Sequence, residues 1–397
     1  MWTVCRFMTA SSILCAQTIA AQGLGDLPDW RVPPDPVMSI GLVQGDEPYL
    51  LYDVTSLRVN SSGQVFVANA GTGELRIFGP DGVFVKTVGG RGQGPGEYQH
   101  LTGMELFAED SLLVFDRDLR RLSVFSPSGQ FLRSHRVAAP EGSTAAVEAL
   151  VGVDNGRALL VGARYDGEFE YPSRTGIERI SNTVFSVDLA DGMVELVAEV
   201  SGIERGYLVR DRGVGFAPLP HRRWAVIAPF RGGLLVGDNA TPTIRLLTAS
   251  GAAHRTFQAP FPIHRLSREE RLAGIERIMA RYPDITPQQA AEQSRMILDF
   301  EGPMVAPRYA RIVPSDDGRF WLQDYQPSGS DPEMSFVGMD ESGVPFASLR
   351  IPSGLASSAE FDVPSNARLH IGSERVYGVW KGEQNVEFVR VYRILRE

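Results

Sequence analysis

Short apolar runs separated by Gly and Asp turns recur along most of the chain. Two stretches show the unit clearly: GQVFVANAGTGELRIFGPDGVFVKTVG from Gly63, and DSLLVFDRDLRRLSVFSPSGQFLRSHRV from Asp110. In each, an apolar strand ends in a polar residue (Asn69 or Asp116), an alternating strand follows, and a Pro-x-Gly turn leads into a third strand. Gly at such turns supplies the positive φ angle that tight hairpins require. The pattern predicts antiparallel β-sheets.

The unit returns along the chain, and one further strand precedes each copy, which makes four strands per unit. Four-stranded units repeated in this way are the blades of a β-propeller. The last blade stops one strand short, whereas the N-terminal run PVMSIGLV (36–43) has no blade of its own. We therefore predict an all-β fold, a six-bladed β-propeller whose N-terminal strand closes the last blade and removes an exposed sheet edge. The predicted first strands begin near Leu57, Leu101, Val147, Trp224, Tyr309 and Ala367.

The segment DGVFVKTVGGRGQGPGEY carries a Gly-x-Gly-Pro-Gly-Glu-aromatic run between the first two blades. This run resembles the inter-blade signature of NHL-repeat propellers, and the stretch from Gly45 through Val137 is similar to secreted bacterial six-bladed propellers related to NHL proteins. The resemblance implies fold and export more than any particular activity. A dinucleotide-binding loop would need a helix after these glycines, but MELFAEDSLLVF predicts another strand. We interpret the glycine run as a link between blades.

The chain of 397 residues carries a formal net charge of -9, which disfavours nucleic acid and anionic membranes as partners. Residues 1–21 have the pattern of a secretory signal peptide, with small residues for cleavage near Ala20 or Ala21. A buried N-terminal helix is the alternative. We expect an exported protein, periplasmic or extracellular, without a membrane span, whose propeller occupies residues 22–397. Both cysteines fall inside the signal segment, so we expect no disulfide in the mature protein.

Every predicted insertion falls on one face of the ring. In a propeller blade, the second-to-third turns and the links between blades share one face, and the remaining turns share the other. We call the first of these the insertion-bearing face. Loops that are longer than two neighbouring strands or blades need for their connection are disproportionately functional. We therefore predict that this face carries the function. The insertions begin at Gly89, Arg164, Gly202, Pro262 and Asp324.

The largest insertion, residues 261–305 between blades 4 and 5, is predicted to be helical. Ser267 and Glu270 form a capping box before an apolar stripe, and Thr286 with Gln289 repeats this start signal. The stripe consists of Leu272, Ile275, Ile278, Met279 and Tyr282. The insertion either packs on the side or rim of the ring or forms a lid over the central channel.

Two insertions combine arginine with aromatic residues. Guanidinium groups bind carboxylates and rings cover apolar faces, so this mixture suits a small anionic or sugar-like ligand, and it equally suits a protein partner. The alternative is that these arginines pair with nearby acids: Asp166, Glu168, Glu204 and Asp211. The predicted ligand-binding residues are Arg164, Tyr171, Arg205, Tyr207, Arg210, His221 and Arg222.

Catalytic motifs are scarce in this sequence. The six histidines show no zinc-type pairing, and no Gly-x-Ser-x-Gly elbow occurs. Asp116, Asp238 and Asp324 end second strands and could form a calcium set of the gluconolactonase kind, but such acids also bond a nearby Arg120 or Arg245, or a turn amide. We therefore predict a binding or scaffold module without cofactor. The alternative is a metal-dependent lyase or lactonase, with calcium in the central channel.

Overall fold

The computed structural model describes residues 24–140, 145–164, 173–210, 213–217, 219–280, 286, 288–289, 291, 294–295, 305–327, 333–355, 367–382 and 386–396. The predicted signal segment lies outside this described part. Two short 3-10 turns, Leu24–Asp26 and Glu47–Tyr49, and strands β1 (Asp29–Arg31) and β2 (Met38–Ile40) come before the first blade.

Six antiparallel sheets follow one another along the chain, as predicted. Blade 1 contains β3 (Val54–Val59), β4 (Val65–Asn69), β5 (Glu74–Phe78) and β6 (Phe84–Val88). Blade 2 contains β7 (Leu101–Phe107), β8 (Ser111–Asp116), β9 (Arg121–Phe125) and β10 (Phe131–Arg136). Blade 3 contains β11 (Ala145–Asp154), β12 (Arg157–Arg164), β13 (Gly176–Asp188), β14 (Val194–Arg210) and β15 (Gly213–Ala217).

Blades 4 to 6 complete the ring. Blade 4 contains β16 (Ala225–Phe230), β17 (Gly233–Asp238), β18 (Thr243–Leu247) and β19 (Ala253–Gln258), and helix α1 (Arg268–Met279) follows it. Blade 5 contains β20 (Arg311–Pro314), β21 (Phe320–Gln323), β22 (Glu333–Met339) and β23 (Pro345–Pro352). Blade 6 contains β24 (Leu369–Ile371), β25 (Arg375–Lys381) and β26 (Glu387–Arg393), and β27 (Leu395–Arg396) ends the described chain.

The first strands of the blades surround the centre. Each of β3, β7, β11, β16 and β20 contacts the first strand of the next blade, and β24 contacts β3. The ring therefore closes on itself around a central channel. First strands begin, and second strands end, on the insertion-bearing face.

The apolar core lies between blades. Alternate residues of a strand point to opposite faces of its sheet, so Ile312 packs towards blade 4 and Val313 towards blade 6. Six buried clusters arise in this way, one between each pair of neighbouring blades. Each sheet thus buries both of its faces, which explains why its strands read as nearly continuous apolar runs.

The N-terminal strand closes the last blade, which confirms the prediction. β2 pairs antiparallel with β26 as the outermost strand of blade 6, with Met38 opposite Val391 and Ile40 opposite Val389. The sheet order in this blade is β2-β26-β25-β24, so three strands come from the C-terminal part of the chain and one from the N-terminal part.

A second closure, which the sequence analysis did not predict, lies on blade 5. β1 pairs in parallel with β23, and β27 adds to β1 as a sixth strand. The Trp30 ring lies 5.6 Å from the rings of both Trp321 and Phe346, and the Arg396 guanidinium stacks over it at 4.5 Å. The two chain ends therefore hold blades 5 and 6 together from the outside.

The helical insertion is present, and its first start signal is confirmed. The Ser267 hydroxyl accepts from the Glu270 amide at 3.1 Å, and the Glu270 carboxylate accepts from the Ser267 amide at 2.8 Å. Helix α1 buries Ile275 and Met279 of the predicted stripe, while Tyr282 lies outside the described residues. Thr286 and Gln289 make the same reciprocal bonds, and the described residues after Thr286 (288–289, 291 and 294–295) are helical.

No helix in the described part of the chain is long and apolar enough to cross a membrane.

We expect Gly237→Ala to lower the free energy of unfolding by about 1–3 kcal/mol, because a Cβ there would lie 1.9 Å from the Tyr309 hydroxyl oxygen. Urea unfolding measures the loss. Tyr309→Phe removes the clashing oxygen, so the double variant should regain part of the stability. Gly90→Ala is the control, since a Cβ there has open space. Equal losses in Gly90→Ala and Gly237→Ala, or no recovery in the double variant, would contradict this packing.

Candidate functional site

The long connections of the structure all lie on the insertion-bearing face. They join Val88 to Leu101, Arg136 to Ala145, Arg164 to Gly176, Ala217 to Ala225, Gln258 to Arg311, Gln323 to Glu333 and Pro352 to Leu369. Connections on the opposite face are short hairpin turns, such as the one between Asp154 and Arg157. The predicted asymmetry between the two faces is therefore present in the fold.

Polar side chains at the ends of second strands hold the links on this face. The Asn69 and Asn239 side-chain oxygens accept from the amides of Tyr52 at 2.7 Å and Trp224 at 2.8 Å. Asp116 does the same in blade 2 with three amides, those of Gln99 (2.6 Å), His100 (3.1 Å) and Leu119 (2.9 Å). Each of these side chains holds the backbone that leads into the first strand of its blade. Asp116 also holds the turn that follows the second strand.

Two of the three aspartates named as a possible calcium set are engaged in hydrogen bonds within the fold. Asp116 uses both oxygens for backbone amides, and Asp238 accepts from Arg179 at 2.8 Å and from the Ala240 amide at 3.0 Å. The partner of Asp238 is thus an arginine of blade 3, and not Arg245. Burial raises the pKa of Asp324. Within the described ranges, no three His, Cys, Asp or Glu residues form a group that could hold a metal ion.

The glycine-rich link between blades 1 and 2 folds around its own carboxylate. Glu97 accepts from the Gly94 amide at 2.7 Å, and a Cβ at Gly92 would lie 2.1 Å from the Glu97 carboxylate. The Tyr98 amide donates to the Gly90 carbonyl at 2.8 Å, and Arg121 donates to the carbonyls of Gln93, Gly94 and Glu97. The link leads from β6 into strand β7, which supports the interpretation as an inter-blade link.

The predicted loop from Gly202 is in fact a continuation of the blade 3 sheet. β13 and β14 extend beyond the blade as a long hairpin, and β15 pairs with the end of β14. The pairing of β13 with β14 has a bulge near Ser181. The two strands approach closely there, because Gly202 has no Cβ, which would lie 1.9 Å from the Ile180 carbonyl oxygen. We call this three-stranded segment the blade 3 extension. The sequence analysis assigned its residues from Gly202 onwards to a loop because their alternation is weak and is interrupted by glycines at positions 202, 206, 213 and 215.

Two of the predicted ligand-binding residues with described side chains lie in the blade 3 extension. Arg205 is half-buried and lies opposite Glu178 in the strand pair. Tyr207 is fully buried. Tyr171 and the side chains of Arg164 and Arg210 lie outside the described residues. Glu204, one of the acids suggested as a partner for nearby arginines, binds Arg223 at 2.5 Å.

His221 and Arg222 lie in the link that leads into blade 4. Arg222 is half-buried, whereas His221 is buried beneath helix α1. The His221 Nε2 contacts the Glu270 carbonyl oxygen at 3.2 Å, so Nε2 carries the proton. The His221 Nδ1 lies 3.0 Å from the Tyr325 hydroxyl oxygen, within hydrogen-bond distance. His221 therefore connects the link, the helix and the second-to-third turn of blade 5.

Helix α1 is fastened to the insertion-bearing face by further contacts. Gly274 lets the helix approach, because a Cβ there would lie 2.7 Å from Pro220 and 2.9 Å from His221. Arg277 donates to the Pro327 carbonyl at 2.5 Å. The backbone amide of Ser267, with help from His264 at 2.7 Å, lowers the pKa of the Glu270 carboxyl. The sequence pattern predicted the helix but contained no signal for these contacts.

A second polar group lies where the channel opens between blades 5 and 6. Arg311 begins β20 and lies opposite Gln323 at the end of β21. Arg368, just before β24, binds the buried Glu387 carboxylate at 2.6 Å. Burial, and then the charge of Arg368, lower the pKa of Arg311 to about 10. The sequence analysis missed these residues because they lie within apolar strand patterns.

Comparisons with known proteins agree with this architecture. The sequence profile of family DUF5128, described as a 6-bladed beta-propeller, matches residues 41–148. The crystal structure of a DUF4221 family member from Bacteroides vulgatus is similar over 94% of this chain and 100% of its own, at 14% identity and a TM-score of 0.52. The chain is a six-bladed β-propeller. The comparison with curated proteins found no match.

Two further structures resemble this propeller at lower scores. One is a Bacteroides fragilis protein whose name calls it exported, at 12% identity, 94% and 97% coverage of the two chains and a TM-score of 0.45. The other is virginiamycin B lyase from Staphylococcus aureus, at 9% identity, 92% and 99% coverage and a TM-score of 0.41.

We expect Asp116→Ala to destabilise the propeller by about 2 kcal/mol, because three partly buried backbone amides lose the charged acceptor that they share. Thermal melts with and without a chelator measure the change. A structural role predicts the same melting temperature in both conditions for the unaltered protein and a lower one for the variant. Asp118→Ala, at an exposed carboxylate, is the control. A chelator that lowers the melting temperature of the unaltered protein to that of Asp116→Ala would indicate a calcium ligand instead.

Proposed function

We propose that this propeller is an exported binding module that holds a small anionic or sugar-like ligand on its insertion-bearing face. The observation that carries the proposal is the contrast between the two faces. One face has hairpin turns of two to five residues, and the other has the long connections. Such connections are retained for function more often than for closure.

The long connections are tied to one another, which supports a binding role. His221 joins the link before blade 4 to helix α1 and to the blade 5 turn at Tyr325. Arg179 of the blade 3 extension bonds Asp238 of blade 4. A face that is cross-connected in this way loses little conformational entropy when a ligand binds, and such preorganisation raises affinity.

The charge distribution favours an anion as the ligand. The chain is acidic overall, yet Arg205 and Arg222 lie half-buried on the insertion-bearing face, and Arg311 and Arg368 lie at the channel. Several carboxylates on this face are already engaged: Glu204 by Arg223, Asp238 by Arg179 and Asp116 by amides. Planar guanidinium groups then bind carboxylate or sulfate groups of a ligand through paired hydrogen bonds.

Export is part of the same proposal. Cleavage near Ala20 or Ala21 leaves Leu24 and Leu27 intact, and both pack against the apolar cluster between blades 4 and 5. The strands that close blades 5 and 6 follow directly. The mass of the protein recovered from culture medium or periplasm tests this step, and an uncleaved cytoplasmic product would contradict it.

We expect Arg205→Ala and Arg222→Ala to weaken binding of an anionic ligand, because each removes a cation from the insertion-bearing face. The probes are oligogalacturonate, sialyllactose and citrate, and the readout is the ligand-induced shift in melting temperature. For each probe that shifts the unaltered protein, we expect the shift to fall by more than half in these variants. Deleting the whole segment from Gly202 to Arg222 would be uninformative, since it removes the buried Glu204 and Tyr207.

Arg231→Ala is the matched control for this experiment. Arg231 lies in the hairpin turn between β16 and β17, on the opposite face, so its loss should leave the shifts unchanged. Equal shifts in all three variants would place the ligand elsewhere, and a shift lost only in Arg231→Ala would assign the function to the opposite face.

A further inference from the structure

The outer edges of five blades are protected against pairing with another chain. A strand at the edge of a sheet presents unpaired N–H and C=O groups, and proteins protect such edges with bulges, basic residues or very short strands. The edge strands β6, β10 and β19 each combine a bulge with a lysine or an arginine. β2, at the edge of blade 6, has three residues, and β27, at the edge of blade 5, has two.

The edge of the blade 3 extension lacks this protection. β15 is the outermost strand of its sheet, and its sequence GVGFA contains no charged residue and no proline. It pairs with β14 in one register, from Arg210 opposite Gly213 to Gly206 opposite Ala217, without a bulge. Within the described ranges, β15 is the one outer edge strand of more than three residues with neither a bulge nor a charge.

The backbone of β15 has hydrogen-bonding groups that point away from β14. The Val209 amide donates to the Thr175 hydroxyl at 3.0 Å, on the side of β14 that faces β13. Val209 and Val214 are therefore opposite each other without hydrogen bonds between them, so the N–H and C=O of Val214 point outwards. By the same alternation, the N–H and C=O of Phe216 also point outwards. Among the residues that the structure describes, none bonds these groups of Val214.

One face of β15 is also open. Gly213 and Gly215 are exposed, and a Cβ at either position would have no heavy atom of another part of the chain within 4 Å. The strand is thus accessible both along its edge and over the face that carries its glycines.

We propose that β15 is a self-association edge, at which two copies of this chain pair their β15 strands antiparallel about a two-fold axis. In the register centred on Gly215, Val214 of one copy exchanges two hydrogen bonds with Phe216 of the other. The outward groups of both residues are then all paired. The two blade 3 extensions form one continuous sheet across the axis.

A second copy fits this edge because the edge is complementary to itself. A two-fold interface brings a surface patch against an identical patch, so a charged patch would repel its own copy. The chain has a net charge of -9, yet β15 is uncharged. Around the axis, Gly215 lies opposite Gly215 and Gly213 lies opposite Ala217, so no like charges are opposed. This self-association goes beyond the proposed ligand binding and does not depend on it.

Sedimentation equilibrium over a range of protein concentrations tests the proposal. We expect a monomer–dimer equilibrium for the unaltered protein. Val214→Pro should raise the dimer dissociation constant about tenfold or more, because the two symmetry-related N–H donors are lost. Proline is tolerated at an edge where the N–H points outwards, so the pairing with β14 should remain. Val214→Thr keeps the N–H and should dimerise like the unaltered protein.

Charged residues at Gly215 test the register. Gly215→Lys and Gly215→Glu each oppose like charges across the axis, so each variant alone should dimerise about tenfold or more weakly. An equimolar mixture of the two variants should recover the dimer, because lysine then lies opposite glutamate. Gly90→Lys, at another position where a Cβ has open space, should dimerise like the unaltered protein. Equal melting temperatures of the monomers show that the variants fold.

Three outcomes would overturn the proposal. One is an unaltered protein that stays monomeric at its highest soluble concentration. Another is a dimer that persists in Val214→Pro and in both Gly215 variants, because it would use a different surface. The third is a monomer that binds another protein through this edge, with binding lost in Val214→Pro, since the edge would then serve a different partner. A dimer lost in both Gly215 variants but not recovered in their mixture would overturn the register centred on Gly215.

Discussion

Each blade of this propeller buries both of its faces against its neighbours, and the rest of the structure depends on that constraint. The alternating side chains of every strand are divided between two inter-blade clusters, as Ile312 and Val313 show in β20. An open ring would leave two apolar sheet faces in water. The ring must therefore be closed, and the chain ends provide the closure. β2 completes blade 6, while β1 and β27 extend blade 5, so the two blades nearest the joint are connected twice.

The links between blades use polar side chains in a regular way. In each case a side-chain oxygen accepts a hydrogen bond from a backbone amide at or just before a first strand. The side chain belongs to a residue at the end of a second strand, or to Glu387 in blade 6. This requirement places carboxylates and amides around the insertion-bearing face and occupies them there. Asp116 and Asp238 therefore resemble catalytic or calcium-binding acids in sequence, but their oxygens belong to the architecture.

Much of this fold could be predicted from the sequence. The apolar runs, the hairpin turns and the missing last strand indicated the blades and the closure by β2, because these signals depend on residues that are close along the chain. The capping boxes at Ser267 and Thr286 are local in the same sense. The weakly alternating residues after Gly202 had no such signal, and the blade 3 extension was predicted as a loop.

The sequence by itself determined the strand period, the turns, the helix starts and the number of blades. Only the tertiary structure decided which side chains meet across blades. Val54 and Glu387 are 333 positions apart, and neither residue's neighbours in sequence indicate the other. Arg311 and Arg368 also interact although they are distant along the chain, and so do His221 and Tyr325. The burial of Tyr207 and His221 follows from such long-range contacts. Ring closure brings distant residues together, and local patterns do not indicate which side chains then meet.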